Sequence, residues 1–230
     1  MDEQTIKYYK ENAVEVFSRY SNVQNGISKY FAISFPPQTK ILDIGAGSGR
    51  DIMKLLKLGY DAYGIEPCEE LRTVAIENYP ELAGRIKSGG LPDFENPFDE
   101  QFDGILCSAL IMHIPREHLF NSLFSIRNTL KSNGRLLLSF PLSRPDINDK
   151  QRDKDGRLFI LHNPDYLQLL FERIGFQLIG KWKNDDSLER VGYSWITMLF
   201  QLEISQLIRP IDQIEGILTR DKKLPLISLL

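Results

Sequence analysis

Three glycines in five positions, Gly45, Gly47 and Gly49 of "ILDIGAGSGRD" (41–51), close an apolar run. Glycine there permits positive φ and lets a ligand lie directly on the main chain. Glu66, in "YGIEP", ends the next apolar run, where a carboxylate can accept both ribose hydroxyls of an adenosine. Downstream, "CSALIMHIP" places His113 just past a third apolar run. An imidazole there can take a proton from an acceptor, or can serve as a cap or loop anchor. The spacing therefore offers capture of an adenosine-bearing ligand near one titratable ring. A dinucleotide fingerprint reads GxGxxG; "GAGSG" carries Arg50 where the last glycine would stand, so the pattern leans away from a nicotinamide dinucleotide.

A glycine turn needs elements on both sides to hold it. "KILDIG" reads as a buried strand, "RDIMKLLKLG" as a helix ending at Gly59, "YDAYGIEP" as a strand and "CEELRTVAIENY" as a helix stopped by Pro80. "GRIKSG", "FDGILCSAL" and "GRLLLSFP" continue as strands, with "REHLFNSLFSIRNTL" as an amphipathic helix between the last two. Alternation of this kind makes βαβ units, an α/β fold with a doubly wound, mostly parallel sheet covered on both faces. After Pro141, "LSRPDINDKQRDKDGR" reads as an exposed polar loop and "NPDYLQLLFERIG" as a helix with Asn163 as its cap. "FQLIGKW" and "YSWITMLFQ" close the sheet as an antiparallel edge pair, which makes seven strands.

At 230 residues, 42% hydrophobic and 26% charged, the chain has the size and composition of one soluble domain. Lys and Arg total 28 against 31 Asp and Glu, a net charge of −3 that argues against DNA or another partner held mainly through phosphates. Two cysteines and three histidines supply neither a disulfide framework nor a run with metal-ligand spacing, so no metal is expected. The opening "MDEQTIKYYKENAVEVF" is acidic where a signal peptide would be basic, and no stretch approaches the ~18 apolar residues of a membrane span; a cytoplasmic setting is expected.

Three segments follow. Residues 1–36 form a helical lead-in, residues 37–202 the ligand-binding core, and residues 203–230 a helical tail broken at Pro210. The tail is rich in Ile and Leu. Either it packs back on its own domain, or it marks a homo-oligomer interface or the junction with a fused or partner domain.

"ILDIGAGSGRDIMKLLKLGYDAYGIEPCEEL", followed by "FDGILCSALIMHIP" and "LKSNGRLLLSFP", resembles the class I S-adenosylmethionine-dependent methyltransferase family over residues 36–200. That resemblance implies a Rossmann-like fold and S-adenosyl-L-methionine as cofactor. It implies that Asp43, Gly45, Ala46, Gly47 and Gly49 border the methionine part, that Glu66 beside Pro67 holds the ribose, and that Leu91 lies beside the adenine. Cys107 and Ser108 would close the pocket near the sulfonium, with His113 near the transferred methyl. Relatives often carry an acid after the third strand; "KSGG" stands here, which leaves adenine recognition to Ser88 or to backbone carbonyls. The N-terminal helices of this layout fold over the cofactor, which brings Tyr8 and Arg19 to it, Arg19 as a partner for the methionine carboxylate. Arg50 either pairs on the surface or faces a carboxylate of cofactor or substrate. "CSALIMHIP" is not an Asn-Pro-Pro-Tyr motif, which disfavours amino-methylation of DNA. A small-molecule methyl acceptor is the expectation, with protein and RNA left open. Two readings compete: an oxidoreductase using NAD, and a non-catalytic module that binds an adenosyl ligand within an assembly.

Overall fold

A computed structural model describes residues 1–21, 23, 26–92 and 94–203. Seven strands, β1 (Lys40–Ile44), β2 (Asp61–Ile65), β3 (Ile86–Lys87), β4 (Phe102–Ser108), β5 (Leu130–Ser143), β6 (Phe176–Asp185) and β7 (Ser194–Leu202), form one sheet in the order β3-β2-β1-β4-β5-β7-β6. The first five run parallel, and β7 lies antiparallel between β5 and β6. This is the doubly wound, mostly parallel sheet with a closing antiparallel pair that the alternation of the sequence predicts.

Period-two alternation decides which side chains meet which layer. Ile41, Ala62, Leu106, Leu137 and Leu199 share one face, where they pack with Phe31 of α3 (Phe31–Ser34) and with Ile52 and Leu55 of α4 (Arg50–Lys57). Leu42, Ile65, Ile105, Leu136 and Phe200 share the other, against Leu123 and Ile126 of α6 (Leu119–Thr129) and Leu167 and Phe171 of α7 (Pro164–Arg173). The N-terminal helices α1 (Glu3–Glu11) and α2 (Ala13–Ser21) reach the body through Ala13 and Val16, which pack on Cys68 and on Leu71 of α5 (Glu69–Asn78). Among the described residues no helix is long and apolar enough to cross a membrane, and Cys68 and Cys107 are both buried and free. The tail beyond Glu203 lies outside the described residues.

The segment after β5 departs from expectation. Arg144, Asp153 and Arg157 are buried, although the sequence reads as a solvated loop. Burial of these charges is tolerable because each finds a partner at once. Asp153 accepts from the Arg157 backbone amide and from its Nε and Nη2 at 2.9 and 2.6 Å, while Arg144 forks onto Asp146 at 2.9 and 2.6 Å. Arg152 then ties the segment to the chain start through two bonds to Asp2, at 2.9 and 2.7 Å.

The cap of α7 follows the sequence: Asn163 Oδ1 accepts from the amides of Asp165 and Tyr166, with Pro164 at the first helical position. Asn163→Ala removes that acceptor, at a cost of about 1 kcal/mol. The expected result is a melting temperature lower by roughly 2–4 °C, read by circular dichroism; an unchanged midpoint would show that the cap contributes nothing.

Candidate active site

The glycine turn leaves β1 at its carboxyl end, beside β4, where the strand order reverses and open α/β sheets hold their ligands. Gly47 has φ +53°, and a Cβ there would meet nothing nearer than the Gly45 carbonyl oxygen at 3.9 Å, so the position is open floor. Gly49 has a different purpose. At φ +72° it caps α4, and a Cβ would fall 2.3 Å from Leu82 Cδ1. Gly49 thus lets the start of α4 pack closely against Leu82 and against Ala75 of α5, and it does not line the cavity that Gly47 faces.

Asp43, Gly45, Ala46, Gly47, Arg50, Glu66, Ser108 and His113 line a single cavity of about 230 Å³. Glu66 is 7% exposed; its Oε2 accepts from the Gly47 amide and its Oε1 from the Cys68 amide, both at 3.0 Å. Burial raises its pKa, and the two amides oppose that. A carboxylate has about four acceptor sites, so two lone pairs remain for a diol. Asp43 is buried more completely, and its Oδ1 has no hydrogen-bond partner in the structure. Burial, with Asp51 nearby, pushes its pKa well above the carboxylate range. A buried carboxyl oxygen without a donor is costly, and a cationic ammonium supplied by a ligand would relieve that cost. Arg50 is not on the surface: it forks onto Asp51 at 3.0 and 2.6 Å and donates to the Tyr20 carbonyl at 3.3 Å. Ala109, at the end of β4, also lines the cavity and holds φ +52°, a strained setting for a residue with a Cβ.

Several expected contacts lie outside the lining. Cys107 is fully buried in the core on the helix α6 side, and burial drives its thiol pKa far up. Arg19 is exposed and pairs with Glu15 one turn earlier on α2. Ser88 is exposed, and Pro67 sits over Gly90. Leu91 is buried and its carbonyl accepts the Met1 amino group at 2.8 Å, so Met1 takes its place on the cavity wall. Tyr8 packs under the Arg157 guanidinium, 4.3 Å from its ring centre, and the neighbouring Tyr9 faces the cavity instead. One residue on a helix is a rotation of about 100°, which spacing alone could not resolve.

His113 lines the cavity, but both its nitrogens are engaged. Nδ1 lies 2.6 Å from the Leu158 carbonyl, which can only accept, so Nδ1 carries the proton. Nε2 then accepts from the Tyr9 hydroxyl at 3.2 Å. Burial, together with Arg157 and Arg144, pulls the His113 pKa down to about 4 against the Leu158 bond, so the ring is neutral at pH 7. Sequence reasoning missed Tyr9, Arg144, Arg157, Phe159 and Arg190, all of which line the cavity. The signal present was the spacing of Arg144 to Asp146 and of Asp153 to Arg157, with an aromatic close behind. Among the described residues no three His, Cys, Asp or Glu side chains form a metal-binding group.

Residues 15–181 match the family model described as "Methyltransferase domain", and the chain belongs to that family. An uncharacterized methyltransferase of Staphylococcus carnosus is 26% identical over 136 residues, 58% of this chain and 59% of that protein; the chain spans little more than half the length of the curated relatives it matches. Among solved structures, the 1,6-didemethyltoxoflavin-N1-methyltransferase of Burkholderia thailandensis, with its substrate and S-adenosylhomocysteine bound, superposes with a TM-score of 0.64 at 16% identity, over 86% of this chain and 88% of that one. The magnesium protoporphyrin IX methyltransferase of Synechocystis, with S-adenosylmethionine bound, gives 0.63 at 16% identity over 88% and 98%. These neighbours share the Rossmann-like fold, and the family's cofactor is S-adenosylmethionine.

Gly47 and Gly49 separate binding from packing. Gly47→Val places a side chain where the ligand would lie, and calorimetry should show S-adenosylhomocysteine binding lost while the far-ultraviolet spectrum is kept. Gly49→Ala should instead lower the melting temperature, because Leu82 must move. The reverse pattern would show that the roles have been exchanged.

Proposed function

We propose that the chain is an S-adenosylmethionine-dependent methyltransferase acting on a small molecule, with residues 1–36 as a helical lid over a core formed by residues 37–202. The observation that carries this is a pair of buried carboxyl groups at the strand ends, Glu66 with one backbone amide on each oxygen and Asp43 with an oxygen that lacks any donor. They match the two polar ends of an aminoacyl nucleoside: a ribose diol for Glu66 and an ammonium group for Asp43. When bound, S-adenosylmethionine supplies a methyl group on a sulfonium, ready for direct displacement.

The protein's work is to place and to exclude. The floor at Gly47 sets where the ligand rests, and Tyr20 of α2 closes over it with Arg50 on its carbonyl. The cavity continues beyond the turn to Tyr9, His113 and Phe159, space that a module holding only the cofactor would not need. That space favours an enzyme over the non-catalytic reading. Family membership, with "GAGSG" and not a dinucleotide fingerprint, favours the adenosyl-sulfonium ligand over NAD. The relative from Burkholderia, whose bound substrate is a small heterocycle, supports a small acceptor here.

His113 acts through Tyr9. The neutral imidazole draws the Tyr9 hydroxyl hydrogen toward Nε2, and the phenol oxygen, which also accepts from Arg157, keeps a lone pair for an N–H or O–H of the acceptor. His113 is a positioning residue in this arrangement, and Tyr9 touches the substrate.

Two outcomes test the reading. Calorimetry should show S-adenosylhomocysteine binding to the unaltered chain, weakened at least about tenfold in Glu66→Ala because two charge-assisted bonds of about 1.5–3 kcal/mol each are lost; NAD binding with no response to the adenosyl ligand would overturn it. The second concerns pH. Because the folded His113 pKa lies near 4, below the ordinary 6.5, its neutral form stabilises the fold above pH 6.5 and that stabilisation declines as pH falls toward 4. Thermal stability should therefore drop over that interval less steeply in His113→Asn than in the parent. Equal slopes would show that His113 is not held neutral.

A further inference from the structure

The far wall of the cavity alternates rings and guanidinium groups. Arg157 lies between Tyr8 and Phe159, with ring centres 4.3 and 5.3 Å from its Cζ. Arg144 also lies over Phe159, with its Cζ 3.4 Å from that ring centre and 5.4 Å from the ring centre of Tyr193. Arg190 follows, 4.1 Å from Tyr193. Arg144, Arg157, Phe159 and Arg190 all line the cavity.

Each guanidinium is held by a carboxylate on the same edge. Nε and Nη2 of Arg144 meet Asp146, those of Arg157 meet Asp153, and those of Arg190 meet Asp186. Asp146 and Asp153 do not reach the cavity, so Arg144 and Arg157 face it with their counter-charges behind them, whereas Asp186 lines the cavity beside Arg190. Among the described residues no carbonyl or carboxylate accepts from Nη1 of any of the three, although Arg157 also has the Tyr9 hydroxyl as a hydrogen-bond partner. Arg144 and Arg157 are only 7% and 6% exposed, and a guanidinium has five donors to satisfy. Ring contacts and carboxylate forks together hold the three guanidinium groups in place, which leaves donor edges oriented before any ligand arrives.

We propose that this wall binds a carboxylate of the methyl acceptor, so that the substrate class is small carboxylic acids, anchored here and presented to Tyr9. The proposal rests on the methyltransferase reading above. A planar carboxylate matches a stacked guanidinium fork. Because Asp146, Asp153 and Asp186 already balance the three arginines, the wall offers oriented donors and no net charge, which suits a monoanion better than the dianion of a phosphate ester.

Calorimetry on the full chain saturated with S-adenosylhomocysteine tests it, with benzoate, benzamide and phenyl phosphate as probes. Benzoate should bind at least about tenfold more tightly than benzamide, the margin expected for hydrogen bonds to a charged group. Arg190→Gln and Arg157→Lys should weaken benzoate by about tenfold while S-adenosylhomocysteine affinity stays within a few-fold. Arg190 is the safer variant, since it lies in the loop between β6 and β7 and is less buried than Arg144 or Arg157. Equal binding of benzoate and benzamide, or benzoate affinity indifferent to both substitutions, would overturn the proposal. Phenyl phosphate binding more tightly than benzoate would replace the carboxylic acid by a phosphate ester and overturn it likewise. Failure of the unaltered chain to bind S-adenosylhomocysteine would instead remove the methyltransferase reading, and the proposal with it.

Discussion

The hydrogen bond from the Gly47 amide to Glu66 fastens the turn after β1 to the end of β2, and the whole cavity is built out from that join. A buried carboxylate must find donors or lose its charge. Glu66 finds them in two backbone amides, so the turn cannot relax without stranding the carboxylate and the carboxylate cannot turn away without stranding the amides. The amides of Gly45 and Ala46 are tied in the same way to the Ile65 carbonyl, at 2.9 and 3.0 Å. The floor is therefore held in place by the fold itself, and Asp43, buried beside it, keeps Oδ1 without a hydrogen-bond partner.

The same rule of paired burial raises the opposite wall. Asp186 accepts from the Leu188 and Arg190 amides, the Arg190 guanidinium and the Trp195 indole, and although burial works against it these donors bring its pKa down to about 2. It closes the loop between β6 and β7. Asp153 does the equivalent for the segment after β5, and Arg152 links that segment to Asp2 at the start of the N-terminal helices. The Arg152–Asp2 pair joins the chain start to the segment after β5, and Ser143 Oγ donating to the Gly192 carbonyl, with Arg144 over the Tyr193 ring, joins that segment to the loop between β6 and β7.

Much of this was legible from the chain alone, and the reason is locality. Strand and helix periods, the cap at Asn163 and the glycine turn with Glu66 are each written in a few consecutive residues. What spacing could not give were choices made by packing. Gly49 looked like part of the ligand floor, yet Leu82, more than thirty residues later, determines its role. Cys107 alternates into the core, and Tyr9, not Tyr8, turns inward because α2 and α5 fix the rotation of α1. The segment 142–157 read as solvent-exposed because its charges find their partners only within the folded loop and across it to Asp2. Arg144 and Arg157 were hidden by the same arrangement that allows them to be buried.

The central claim is that Glu66 and Asp43 hold the two polar ends of one adenosyl ligand, and a crystal structure of the chain with S-adenosylhomocysteine tests it directly. The account predicts both ribose hydroxyls within hydrogen-bond distance of the Glu66 carboxylate, the amino group on Asp43 Oδ1, and the sulfur facing the Tyr9 side of the cavity. A ribose held by another residue, or an amino group directed away from Asp43, would contradict it.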